Sequence, residues 1–276
     1  MTELEGWSGL EDLADLRVHR RPAGVVVVTL DLPERRNMMS AAMTASWART
    51  MSAVRADLGV RAVVVTGAGS AFCSGGDLSW IGGDPSQPAA TVAELRTRML
   101  PFYRAWLAVR DIEVPTIAAV NGAAVGAGLA LALACDLRYA ASDARLGMPF
   151  TALGMHPGMA STWLLPEVAG LAVARELLLT GRMISGEDAE RMGLVNRALP
   201  AAEVLDEALR VADEVAATAP LASRLTKRAL SGGGPASFEA ALEWEALAQP
   251  VTLASEDLQE GLRAQRERRA PRFTGR

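Results

Sequence analysis

The sequence predicts an α/β fold over residues 1–200 and an all-helical region over residues 201–276. Three observations support this. Short β-branched or apolar runs alternate with longer helical patterns as far as Pro200. Beyond Pro200 no strand signal remains, and four helical segments follow. Half of the 276 residues are hydrophobic and 22% are charged, a composition that excludes disorder and coiled coil and is long enough to bury a large core.

The elements follow in order. Val25-Val26-Val27-Val28-Thr29-Leu30 is a β-branched strand that ends before Pro33. Ser40 is positioned to cap a helix from Ala41 to about Asp57, with Met43, Trp47, Met51 and Val54 on one face. The run 61–66 (RAVVVT) reads as a strand buried on both faces. Residues 67–77 (GAGSAFCSGGD) form a glycine-rich loop, and 81–88 a connection in which Asp84 reads as a surface group. A helix is expected over 91–109, bent at Pro101. Strands are expected over 116–120 and 136–140, with a small-residue helix over 126–134 between them. Ser185 and Asp188 form a capping box before a short helix that Gly193 ends. The tail helices are expected over 201–218, 221–230, 236–248 and 256–268. No repeat is visible by residue identity.

Composition also bounds the function. With 28 basic and 32 acidic residues the formal charge is −4, which argues against nucleic acid as a partner. Two cysteines (Cys73, Cys135) and two histidines (His19, His156) cannot build a disulfide framework or a zinc cage, so no metal is expected. The acidic start MTELEGWSGLEDLADLR has no apolar signal region, and a cytoplasmic location is expected. Between Ile117 and Cys135 the only polar side chain is Asn121, but Asn121-Gly122 is a turn signal and the rest is mostly alanine and glycine. A strand, a turn and a buried helix fit better than a membrane span.

Several familiar motifs fail. Phe72 stands where G-x-G-x-x-G needs its third glycine, and no Walker pattern or G-x-S-x-G occurs. Cys73 lacks a base partner in sequence and reads as a small buried side chain. Two glycine loops remain: Ser74-Gly75-Gly76-Asp77 and Asn121 to Gly128 (NGAAVGAG), each between a buried strand and a helical segment. Glycines there admit a ligand close to the backbone, and two N–H groups converging on one point would make an oxyanion hole. Tight turns alone would account for either loop taken singly.

Several ordered blocks carry a resemblance. They are Arg36-Asn37-Met38-Met39-Ser40, Val63 to Gly67 (VVVTG), Phe72 to Leu78 (FCSGGDL), Ala118 to Gly122 (AAVNG) and Gly126-Ala127-Gly128. They continue with Ala134-Cys135-Asp136, Leu153 to Gly158 (LGMHPG), Leu177 to Gly181 (LLLTG) and Gly193 to Asn196 (GLVN). From about Val25 onward the chain thus resembles the crotonase, or enoyl-CoA hydratase/isomerase, superfamily. The resemblance implies a spiral of ββα units with a C-terminal helical trimerisation region, assembled as a trimer or as a hexamer of two trimers. It implies an acyl-CoA thioester as substrate or ligand, with no other cofactor, and fatty-acid metabolism as setting. The family's oxyanion-hole amides fall on Gly76 and Ala127. Its CoA contacts fall near Arg36, Ser74 and Gly76, with Asp77 and Trp80 beside them. Arg263, Arg266, Arg268, Arg269, Arg272 and Arg276 are candidates for CoA phosphates, or equally a solvated basic helix.

The sequence departs from the pattern at the acid–base positions. The hydratase glutamates fall on Ala130 and Phe150, and the dienoyl-CoA isomerase aspartate on Gly158. Losing two positioned acid–base groups, each worth roughly 10²–10⁴-fold, predicts weak or absent hydration. His156 is a candidate replacement, since its ordinary pKa suits acid–base work near neutrality, although a lone histidine is more often structural. Phe150 and Trp80 would dry the pocket. Three readings stay open: enolate chemistry or isomerisation with displaced groups, a hydratase recruiting another carboxylate, and a non-catalytic acyl-CoA binder.

Overall fold

A computed structural model describes residues 7, 10, 12–77, 90–231 and 235–276. Ten strands form two sheets among these residues. The larger sheet has the order β1 (Leu16–Arg20), β2 (Val25–Leu30), β3 (Ala62–Gly67), β5 (Thr116–Val120), β7 (Leu137–Ala141) and β10 (Arg197–Leu199). Only β1 with β2 is antiparallel; the other pairs are parallel. The smaller sheet has the order β4 (Ala71–Cys73), β6 (Ala123–Val125), β8 (Leu146–Gly147) and β9 (Met183–Ile184). The run of buried valines in β2 and β3 matches this topology, because a parallel sheet covered on both faces needs continuous apolar strands.

The connectivity repeats although the residues do not. β3 and β4, β5 and β6, and β7 and β8 each place the first strand in the large sheet and the second in the small one. Helices follow each pair: α2 (Val92–Leu107), α3 (Ala127–Ala134) and α4 (Ser161–Thr180). The turn between β5 and β6 needs its glycine for close approach: a Cβ on Gly122 would lie 2.1 Å from the Ser70 carbonyl oxygen.

Ser40 caps α1 (Ala41–Ala56) by accepting from the Met43 N–H, and Met43, Trp47, Met51 and Val54 are buried as expected. α1 packs on α2 through a stacked pair, Trp47 and Trp106, with ring centroids 5.0 Å apart. Each indole is anchored across the interface: Trp47 Nε1 donates to the Ala105 carbonyl (3.1 Å) and Trp106 Nε1 to Thr44 Oγ1 (3.0 Å). α2 keeps its expected span with Pro101 inside it.

The structure corrects the element assignment in several places. The glycine-rich loop 67–77 contains β4, and the turn after Asn121 contains β6. β1, β8, β9, β10 and α4 also lie where no element was expected. The connection 81–88, with Asp84, lies outside the described residues. α5 (Gly186–Arg191) carries the capping box of Ser185 and Asp188.

Beyond Pro200 the described residues contain helices and no strand: α6 (Val204–Ala216), α7 (Pro220–Leu230), α8 (Phe238–Leu253) and α9 (Glu256–Glu267). α6 lies against β3, β5 and β7 and buries Val204, Ala208, Ala212 and Ala216, so it packs as part of the α/β body. α7 docks through Lys227, which is 8% exposed, bonds the Val114 carbonyl (2.9 Å) and pairs with Asp136 (2.7 Å). Asp136 also accepts from the Thr116 N–H and hydroxyl. The chain's end folds back onto α9, where the buried Asp257 accepts from the N–H groups of Thr274 and Gly275. No helix of the described residues is long and apolar enough to cross a membrane.

Candidate active site

Two asparagine-centred clamps, the buried Asn37 and the half-buried Asn121, hold the corner between β3 and β4. Asn37, at φ 53°, accepts from the Leu32 N–H and donates to the Ala68 and Ala71 carbonyls, each at 2.8 Å. Asn121 accepts from the Gly67 N–H (3.1 Å) and donates to the Gly69 carbonyl (2.9 Å). The loop after β4 is fixed in turn, because the Ser74 N–H donates to the Arg36 carbonyl and the Gly75 carbonyl accepts from the Met39 N–H. These bonds explain why Arg36-Asn37-Met38-Met39 belongs with the two glycine loops.

The two glycine loops meet. Gly75 has φ +97°, and a Cβ there would lie 2.7 Å from the Val125 carbonyl oxygen and 3.4 Å from the Ala127 nitrogen. The positive φ and the close approach both demand glycine. Ala127 is the first helical residue of α3, so its N–H has no intrahelical acceptor, and it stands at the positive end of the helix dipole. Gly126 before it has no side chain to cap that end.

Gly76 and Ala127 line one cavity of about 590 Å³. α1 contributes Ala41, Thr44, Ala45 and Ala48 to its wall, and α2 contributes Met99, Phe102 and Tyr103. Phe150, Leu153, Met155, Gly158 and Met159 complete the wall. The Phe150 ring lies over the β6–α3 corner, since a Cβ on Gly126 would meet its Cζ at 3.5 Å. Among the described lining residues only Asp77 and Tyr103 titrate, and Asp77 pairs with Arg35 (3.6 Å).

The expected site residues divide. Ser74, Gly76, Asp77, Ala127, Phe150 and Gly158 line the cavity. Ala130 does not: it is wholly buried inside α3. Arg36 has an exposed side chain away from the lining and reaches the site only through its backbone. His156 is exposed, with its Nδ1 2.8 Å from the Pro157 carbonyl, and stands outside the cavity wall. Trp80 lies outside the described residues. Of the tail arginines, Arg263 and Arg269 pair with Glu260. Sequence reasoning missed Met99, Phe102 and Tyr103; the apolar run around Pro101 is the signal that marks them, but it reads equally as a packed helix.

Cys73 and Cys135 are buried in apolar surroundings that push each thiol up to about 12, so both stay protonated and neither is a nucleophile. Among the described residues no group of three or more histidine, cysteine or acidic side chains is placed to hold a metal.

The family model for enoyl-CoA hydratase/isomerase matches residues 20–276. The chain belongs to the enoyl-CoA hydratase/isomerase family. It is 38% identical over 252 residues to the (E)-benzylidenesuccinyl-CoA hydratase of Thauera aromatica, covering 91% of this chain and 96% of that one. It is 43% identical over 225 residues to a "Probable enoyl-CoA hydratase EchA14" of Mycobacterium tuberculosis, covering 78% and 82%. The crystal structure of enoyl-CoA hydratase from Bacillus anthracis superposes with a TM-score of 0.89 at 33% identity, over 95% of this chain and all of that one. The two sheets and the repeated strand pairs are therefore the crotonase-type spiral of this family.

Proposed function

We propose that this family member binds an acyl-CoA thioester with its carbonyl oxygen between the N–H groups of Gly76 and Ala127, and acts on it through the enolate. The observation that carries the reading is the meeting of two glycine corners in one apolar cavity, with an uncapped helix start at the corner. Two amides aimed at a developing oxyanion stabilise it without reorganising, which is the largest single contribution to many acyl-transfer and enolate reactions. The cavity volume and its alanine, methionine and aromatic walls suit an apolar acyl group.

Ordinary hydration of an enoyl thioester is predicted to be weak. Phe150 puts a ring where the resemblance places one glutamate, and Ala130 is sealed inside α3 where it places the other. Neither moves a proton. Crotonyl-CoA turnover at high enzyme concentration tests this. Rates typical of enzymes, about 1–10³ s⁻¹, would overturn it and point to a recruited carboxylate. Tight binding of a saturated acyl-CoA by calorimetry, with no chemistry on any enoyl or acyl thioester, would favour a binding protein.

Self-association is part of the same reading. α8 contributes no buried residue, while Phe238, Leu247 and Leu253 are more than half exposed along it and Val251 is close to half. A helix so apolar and so uncovered supports burial against further copies of the chain, as the trimer or hexamer that the family resemblance implies.

A further inference from the structure

A cavity that stabilises an enolate still needs a group to move protons to and from the α-carbon. Among the described residues lining it, no glutamate, histidine, lysine or arginine is found. Asp77 is engaged with Arg35, and α1 and α3 present only uncharged residues to the space. His156, on the loop before Gly158, is exposed. Among the described lining residues Tyr103 is the remaining proton-bearing acid.

Its position is specific. A Cβ built on Gly158 would lie 2.5 Å from the Tyr103 hydroxyl oxygen and 3.2 Å from its Cζ. The phenol oxygen therefore fills the volume that a side chain at 158 would take. The backbone at 158 cannot easily withdraw, because both the N–H and the hydroxyl of Ser161 donate to the Gly158 carbonyl. The Tyr103 O–H donates to the Met99 thioether at 3.4 Å, a weak acceptor that gives up the proton at little cost. Its oxygen accepts from the Met159 N–H.

We propose that Tyr103 is the proton carrier of this pocket, its hydroxyl standing where glycine at 158 leaves room for it. The proposal rests on the acyl-CoA reading above. In the forward step the phenol O–H bond breaks, and its proton joins the enolate electron pair to form the α C–H bond. The thioester carbonyl re-forms as the oxyanion charge is withdrawn. The phenolate left behind is met by the Met159 N–H and regains its proton from water. Burial holds the Tyr103 phenol above its ordinary value, with the Met159 amide working in the opposite direction. The group is thus held protonated at neutral pH, available to an enolate as a proton donor and scarce as a base.

The test is exchange of the α-protons of butyryl-CoA with deuterium, followed by NMR between pH 7 and 10.5, with calorimetric binding of butyryl-CoA on the same samples. Up to about pH 9 the expected wild-type rate rises about tenfold per pH unit, because only the phenolate removes a proton and its fraction grows tenfold per unit well below the phenol's pKa. Tyr103→Phe keeps the ring and is expected to retain binding while losing about 10²-fold in exchange. Tyr103→Phe/Gly158→Asp, with a carboxylate in the vacated volume, is expected to restore exchange with a flat profile above about pH 6, since an aspartate is ionised there. Equal exchange in wild type and Tyr103→Phe overturns the proposal and leaves the acyl-CoA reading intact; bound butyryl-CoA with no exchange at any pH overturns the proposal together with action through the enolate, and leaves acyl-CoA binding alone. Absence of butyryl-CoA binding overturns both.

Discussion

Ala127 occupies the first helical position of α3, where proline fits the backbone and its missing N–H breaks no intrahelical bond. Ala127→Pro therefore removes one proposed oxyanion donor while leaving the helix in place. Enolate formation from a bound acyl-CoA, read as α-deuterium exchange, is expected to fall roughly 10²–10³-fold with the fold retained by circular dichroism. An unchanged rate would move the oxyanion away from this corner. At this scale the sequence was informative where the backbone is constrained and silent where shape decides. Gly75, Gly76, Asn37 and Asn121 stand out because only a few residue types tolerate a positive φ, a close approach or a buried corner hydrogen bond. Tyr103 does not stand out, because nothing in a helical pattern tells which tyrosine meets a glycine from a distant loop. His156 shows the opposite limit: a residue with suitable chemistry next to a motif, turned to solvent by the loop that carries it.

The elements differ in how far their residues announce them. β2, β3 and β5 were legible as continuous apolar or β-branched runs, and α1 by its helical period behind a cap. β4, β6, β8 and β9 run two or three residues each, too short for any period, and they exist because the small sheet pairs them. α4 was hidden by its own breakers, Pro166 and Gly170, and the helix is interrupted at Gly170 (φ 78°, ψ 164°). α9 yields a prediction of its own. Glu260 bonds the Arg269 guanidinium first, then the Arg272 N–H, and these hold its carboxyl down at about 2. A carboxyl lowered in the folded chain contributes stability that is complete above its ordinary value of 4.5 and lost as pH falls toward 2. Residues 268–276 are expected to loosen from α9 across that window, seen as lower amide protection there, relative to the intrinsic exchange rate at each pH, at pH 2.5 than at pH 5. Equal protection at both pH values would show that Asp257 and its tail hydrogen bonds hold the segment alone.

Across the whole molecule, the alternation of strands and helices gave the fold class, while the threefold recurrence of the strand pairs is visible only in three dimensions. The helical tail was legible as helices but not in its division of labour, since α6 belongs to the body and α8 lies open. This difference predicts the assembly. Sedimentation is expected to give a trimer or a multiple of it, and Leu247→Glu with Val251→Glu on α8 to shift it toward monomer while α6 keeps the body folded. A monomeric wild type would remove the role proposed for that helix. The stacked indoles of Trp47 and Trp106 have a consequence at the same scale. They bolt together the two helices that wall the cavity, in a fully enclosed setting. Any guest that wedges those helices apart must disturb the pair, so near-ultraviolet emission gives the molecule a built-in gauge of occupancy that needs no label.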